Sequence, residues 1–164
     1  MKNVIKAIDA VNNFFGNIVG WISILMVFLV VFEVVSRYVF NAPTLWSMEI
    51  NQYLFCAMSL LGGGYCLLKD GHVRVDLFYP KFSPKTQAIV EMCTFSLAII
   101  FCVILVWLAG SEFWAALVEH KRSDSVMAFP LWPIWFTVPL GGFLLGMQIV
   151  ARYLRHVRTL IGEN

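Results

Sequence analysis

Along this chain the apolar residues do not alternate with polar ones at strand spacing. They run on for about the width of a bilayer, four times over, between short polar connections. A hydrocarbon core of about 30 Å needs about 20 apolar residues at a rise of about 1.5 Å each. The first run meets that requirement over Phe14 to Phe32, broken only by Asn17 and Ser23, and continues through Glu33 to Arg37. The second, Ser47 to Leu68, starts with Glu49, Asn51 and Gln52 and then becomes apolar; its length favours a span. The third has its core at Met92 to Gly110, within a longer helical stretch that opens at Ser83-Pro84, a good cap followed by a residue preset for the first helical turn. The fourth, Leu131 to Ala151, contains Pro133, Pro139 and three glycines. The pattern predicts an all-α integral membrane protein with spans at about 14–37, 47–68, 86–117 and 131–152, forming one membrane domain over 14–155 with a cytoplasmic tail at 156–164.

Ahead of the first run, residues 1–13 set Val4, Ile5, Ile8 and Val11 on one helical face and Lys2, Lys6 and Asp9 elsewhere. This predicts a short N-terminal amphipathic helix lying in the membrane interface. The run itself is too long for a signal-peptide core and no small-x-small cleavage site follows it, so it is expected to stay in the mature chain.

Composition agrees with lipid as the solvent. Of the 164 residues, 60% are apolar and 13% charged, with a mean hydropathy of +0.77, whereas a soluble domain carries about 25% charged residues. Collagen, disorder, coiled coil and a secreted disulfide scaffold are excluded. The net charge of +2 is too small and too scattered to recognise nucleic acid. Cys56, Cys66, Cys93 and Cys102 form no CxxC and lie in apolar runs, where free cysteine packs as a small hydrophobe.

Basic residues set the orientation, because Lys and Arg are retained on the cytoplasmic side. Nine (Lys2, Lys6, Lys69, Arg74, Lys81, Lys85, Arg152, Arg155, Arg158) fall on the side of the termini and middle loop, and three (Arg37, Lys121, Arg122) on the other. Both termini are therefore expected in the cytoplasm. Trp46, Trp107, Trp114, Trp132 and Trp135 then gather towards the outer interface, as an aromatic belt does.

Ionisable groups beside membrane spans are the first functional candidates. Glu33 and Arg37 are four apart, in the favourable order for an ion pair on one helical face, and Glu49 sits one turn into the second helix, where the dipole favours a carboxylate. A docking or packing cluster, interfacial anchoring by a snorkelling Arg37, and a proton-coupled site are the three readings. None of the three residues is near the midplane, which favours docking or packing. Gly62, Gly63, Gly142 and Gly146, with Gly64 completing the run in the second span, are candidates for close helix approach, within this chain or with another subunit. Pro139 predicts a bend. In the loop after the second run, His72 and Asp76 are candidates for a hydrogen-bonding pair that structures it; a solvated basic loop is the alternative.

The remaining chemistry is mostly negative. His72, His120 and His156 lie in loops or at helix ends, so no haem site between spans assembles from them, and no paired cysteines lie in outer loops. No phosphate loop, HExxH or catalytic triad is present, which predicts no enzyme activity and no cofactor or metal in this chain.

Several pieces, in order, resemble one family. They are Arg37-Tyr38-Val39-Phe40, Asn41-Ala42-Pro43-Thr44, Trp46-Ser47 with Glu49, Leu61-Gly62 with Tyr65, and Gly71-His72-Val73-Arg74-Val75-Asp76. Pro130-Leu131-Trp132-Pro133, Pro139-Leu140-Gly141 and Gln148 complete the set. Together they resemble the small membrane subunit, DctQ type, of tripartite ATP-independent periplasmic (TRAP) transporters, over nearly the whole chain except Val118 to Phe129. The resemblance implies a sodium-driven secondary transporter in the bacterial inner membrane that imports an organic acid, a carboxylate or a sulfonate. A large DctM-type membrane subunit would hold the substrate and sodium sites, a periplasmic binding protein would deliver the substrate, and this chain would be a scaffold partner surrounded by lipid. On that reading Glu33, Arg37, Trp46 and Glu49, with the four glycines, are interface or packing residues. Asn41, Pro43, Lys121 and Arg122 are the outer candidates for docking the binding protein. Two other classes remain open: a self-sufficient four-span exporter, for which Glu33 is the nearest approach to a buried ionisable group, and a membrane anchor of a redox enzyme, which the His and Cys positions oppose.

Overall fold

The computed structural model describes residues 2–69, 71 and 84–161, and the side chains of 3–69, 71, 90 and 93–155 among them. The described residues form four α-helices and no strand: α1 (Lys2–Tyr38), α2 (Ser47–Leu68), α3 (Pro84–Val118) and α4 (Trp132–Ile161).

α1 departs from expectation at its start. Instead of an interfacial helix over 1–13 followed by a separate span, Lys2–Tyr38 is one helix of 37 residues. No Gly or Pro precedes Gly16, so nothing local breaks it. The face turned inward also differs: Ile5 and Asn12 are buried, whereas Val4 and Val11 are exposed. α3 starts at Pro84. α4 continues through Ile161, past the tail boundary expected at residue 156, because no Gly or Pro lies between Ala151 and Ile161 to end it. Pro139 lies inside α4 without ending it.

Among the described residues, three helices are long and apolar enough to cross a membrane: Asn3–Tyr38, Cys93–Val118 and Trp132–Arg155. α2 is not among them. Its first two turns carry Glu49, Asn51 and Gln52, and its glycine-rich fifth turn, Gly62 to Gly64, adds no hydropathy.

α4 is the hub. It packs against α3 and α2 and more lightly against α1; α1 packs mainly on α2, and α3 mainly on α4. The order across the layer is α1, α2, α4, α3, which leaves α1 and α3 as edges. Their outward faces are apolar and bare, from Trp21, Phe28 and Val31 on α1 to Phe101, Ile104 and Trp107 on α3. Inside, Leu67, Cys102 and Ile149 form a core cluster joined by Phe95, Ala98, Ile99 and Leu145. Cys102 thus packs as the small hydrophobe its surroundings implied. Fully buried Ala116 and Ala151 show how little side chain these contacts admit.

Candidate functional site

The charged groups of α1 collect at its two ends. Residues 10–32 contain no charged side chain, and Asp9 and Glu33 bracket them at a separation of about 36 Å by helical rise. Each bracket is the seed of a cluster, the Glu33 end being the outer and the Asp9 end the inner one in the topology expected from the sequence.

At the outer end, Glu33 and Arg37 pair along α1, with Arg37 Nε and Nη2 donating to Glu33 Oε1 at 3.3 and 2.8 Å. Glu33 Oε2 accepts from the Thr44 hydroxyl and from the Thr44 backbone N–H at 3.3 Å. The carboxylate therefore ties the end of α1 to the connection leading into α2. Asn41 adopts a left-handed conformation (φ 50°) in that connection, and the Ser36 hydroxyl donates to the Ala42 carbonyl at 2.6 Å. Trp46 stacks on Phe32 with ring centroids 5.9 Å apart. The Trp46 backbone stands at the N-cap of α2 without a side-chain cap.

Glu49 is buried and accepts from the Ser125 hydroxyl at 2.5 Å. That bond carries the α3–α4 connection over the start of α2. The connection is a small hairpin-like loop in which Ser123 N–H donates to Phe129 O, Leu131 N–H to Lys121 O, and Arg122 pairs with Pro130 in an isolated bridge. Tyr53 fastens it, donating to the Pro130 carbonyl at 2.9 Å and facing the Phe129 ring. Residues 118–129, to which the sequence assigned no role, are thus a lid on the outer end of α2.

At the inner end, Asn12 is fully buried; its amide donates to Gln148 Oε1 at 2.9 Å, joining α1 to α4. Gln148, also buried, donates onward to Asp9 Oδ1 at 3.2 Å, and Arg155 pairs with both Asp9 oxygens. A Cβ at Gly64 would lie 2.0 Å from Asn12 Oδ1 and 3.1 Å from the Leu144 carbonyl. Glycine at 64 is therefore what lets α1, α2 and α4 meet, and its Cα–H points at the otherwise unpartnered Asn12 oxygen.

The four glycines expected to support close packing behave differently. Cβ positions at Gly142 and Gly146 would face α3, 3.1 Å from Leu105 and 3.4 Å from Cys102; Gly62 faces Val19 of α1 at 3.6 Å; and Gly63 faces open space. Tighter approaches occur at Gly64, the last of the run of three that the sequence pointed to, and at Gly141 (2.6 Å from the Leu60 carbonyl) and Gly16 (2.2 Å from the Tyr65 ring), which sequence reasoning did not single out for packing. It also missed Asp9, Asn12, Gln148 and Arg155 as a set. The available signal was two amides inside apolar helices, each of which needs a partner.

Of the outer docking candidates, Asn41 and Pro43 are exposed in the α1–α2 connection. Lys121 pairs with Glu112 and Glu119 at 3.7 and 3.6 Å, and Arg122 donates to the Ala128 carbonyl at 3.3 Å, so both hold their own loop. The Glu49–Ser125 bond brings the two connections together at one end of the molecule. His72 and Asp76 lie outside the described residues.

Fold and site together define a multi-pass helical membrane protein that keeps its ionisable clusters at the helix ends. Residues 26–159 match the family of tripartite ATP-independent periplasmic transporters, DctQ component, and the chain belongs to that family. Among similar proteins, a putative TRAP transporter small permease protein of Haemophilus influenzae is 27% identical over 130 residues, 79% of each chain. The sialic acid TRAP transporter small permease protein SiaQ of Vibrio cholerae is 19% identical over 134 residues, 80% of this chain and 75% of the relative. The sialic acid TRAP transporter permease protein SiaT of Haemophilus influenzae is 28% identical over 86 residues, half of this chain but only 14% of that much longer protein.

Proposed function

We propose that the chain is the small, stationary membrane subunit of a sodium-driven TRAP transporter that imports an organic acid across the bacterial inner membrane. The observation that carries this reading is the placement of charge. A solute path needs polar groups at depth to replace water around an ion. α1 has none between Asp9 and Glu33 that is charged, and Ser23, Thr94, Ser111 and Thr137 donate to carbonyls of their own helices. The substrate and its sodium ions then belong to a large partner subunit. The likeness of half of this chain to a small part of a long permease supports such a partner, since a stretch of this kind occurs there joined to much more membrane protein.

In this reading α2 is the fourth span; its 22 residues reach about 33 Å. Both termini face the cytoplasm, where the first three turns of α1 lie at the interface as a continuation of the span. The outer end, with Asn41 and Pro43 exposed, receives the periplasmic binding protein. Sialic acid, named for two relatives, is one organic acid of the expected class.

The test is reconstitution. Proteoliposomes holding this chain alone, under a sodium gradient and with labelled organic acids, should show no saturable uptake, and uptake should appear when the large subunit and binding protein are added. Uptake by the lone chain would overturn the scaffold reading. Single cysteines at Lys69 and Asp124, in a background lacking the four native ones, should label from opposite sides of the membrane; labelling of both from outside would overturn the topology.

A further inference from the structure

The outer cluster has an opening that its own bonds do not explain. A cleft of about 330 Å³ lies between α1 and α2, lined by Val30, Glu33, Val34 and Arg37 on one wall and Ser47, Met48 and Asn51 on the other. Its lining is mixed, with apolar Val30, Val34 and Met48 interspersed among the polar groups. Ser47 is fully buried, yet its hydroxyl has no hydrogen-bond partner, and the Asn51 side-chain oxygen is likewise buried and unpartnered. Buried polar groups in native proteins are almost always paired, so two such groups lining one cleft ask for a ligand.

Two further features state its chemistry. Ser47 is the first residue of a 22-residue helix whose N-cap, Trp46, supplies no side-chain cap, so the opening N–H groups of α2 stand at the cleft with the positive end of the helix dipole. Arg37 uses Nε and Nη2 on Glu33 and leaves Nη1 without a bond among the described residues; its side chain is 51% exposed. Helix terminus, hydroxyl and guanidinium together suit a phosphate. Glu33 is the counterweight: its charge in the same cleft disfavours a group that is only anionic and attracts a primary ammonium, and since its own oxygens are taken by Arg37 and Thr44, Asn51 Oδ1 is the acceptor left for that ammonium's N–H.

We infer that this cleft binds the headgroup of a phospholipid carrying both a phosphate and a primary ammonium, a phosphoethanolamine headgroup, with an acyl chain running down Val30, Val34 and Met48. The phosphate sits at the start of α2 between Ser47 and Arg37; the ammonium lies against Glu33 and Asn51. A choline headgroup offers the phosphate but no N–H, and a glycerol headgroup offers the phosphate but no positive charge. The inference needs only the membrane location of the chain, so its failure leaves the transporter reading untouched.

The full-length chain, purified in detergent and examined by native mass spectrometry with added ethanolamine, choline or glycerol phospholipid or inorganic phosphate, gives the test. Retention of the ethanolamine lipid should exceed that of the other two by about tenfold, the loss expected for one hydrogen bond to a charged group, and free phosphate should not be retained. Ser47→Ala should reduce retention by a similar factor. Met48→Trp, at a position 69% exposed, should block the cleft without touching the buried groups, so that loss of lipid is separable from loss of fold. Hydrogen exchange at the amides of 47–49 should slow only with the ethanolamine lipid. Equal retention of all three lipids, or retention unchanged in Met48→Trp, would overturn the site. So would amides 47–49 that are protected by the large subunit in lipid-depleted complex, which would make the cleft a protein interface.

Discussion

The two ends of α1 carry similar chemistry and use it in opposite ways. At the inner end a carboxylate, two amides and a guanidinium are joined across α1 and α4, and one glycine on α2 seals the join. At the outer end a carboxylate and a guanidinium of the same helix pair with each other, a second carboxylate is held by a distant loop, and several buried polar atoms have no partner. The inner cluster comes close to completing itself within the chain, with the Asn12 oxygen left to the Cα–H of Gly64, whereas three buried oxygens of the outer one have no partner. The outer one is unfinished, and unfinished polar groups in lipid mark where something else binds.

If this contrast is right, the inner end should be intolerant of change in the isolated chain. Gly64→Ala drives a methyl into Asn12 Oδ1 and towards a backbone carbonyl that cannot swing away; it should lower stability by about 1–3 kcal/mol, read as a fall in thermal midpoint in detergent. A wild-type midpoint would break the comparison at its strongest point. Gln148→Ala leaves the buried Asn12 amide with only the Ile8 carbonyl of its own helix, with an expected cost of about 1–2 kcal/mol by the same assay.

The outer end should look indifferent until a partner is present. Arg37→Ala removes a pair whose arginine is half exposed, so the isolated chain should lose at most about 1 kcal/mol. The yield of complex with the large subunit should fall more than that stability change explains, measured by co-purification. Normal complex with an altered sodium dependence would instead assign Arg37 to ion coupling. Smallest of all, Gly63→Ala meets open space and should change the isolated chain by less than about 0.5 kcal/mol. If it nonetheless blocks assembly, that face of α2 belongs to the interface.

The outer cluster was the more legible of the two because its logic is local. Glu33 and Arg37 are one turn apart, and Glu49 stands in the first turn of a helix whose start is readable. The inner cluster joins residues 136 apart, Asn12 to Gln148, and no periodicity within either helix reports on the other. The same limit governs the glycines. A run of three at 62–64 announces close packing, but only the neighbours decide which member is indispensable; Val19 leaves room at Gly62, and Asn12 leaves none at Gly64. At the N-terminus the apolar set Val4, Ile5, Ile8 and Val11 suggested a face for lipid, whereas the bonds from Asp9 and Asn12 to α4 turned the helix a different way. The outer lid was illegible because its role rests on Ser125 meeting Glu49, a contact between a loop and a helix that no motif encodes.

The bond between Asn12 and Gln148 also imposes an order on biosynthesis. Asn12 leaves the ribosome 136 residues before its partner, an interval of about 7–27 s at ordinary rates of synthesis. Throughout that time the amide has only the Ile8 carbonyl of its own helix as a protein partner, and arrival of the last helix supplies the second. A chain stopped short of α4 therefore keeps a polar flag in the bilayer, a mark by which membrane quality control can tell an unfinished molecule from a finished one.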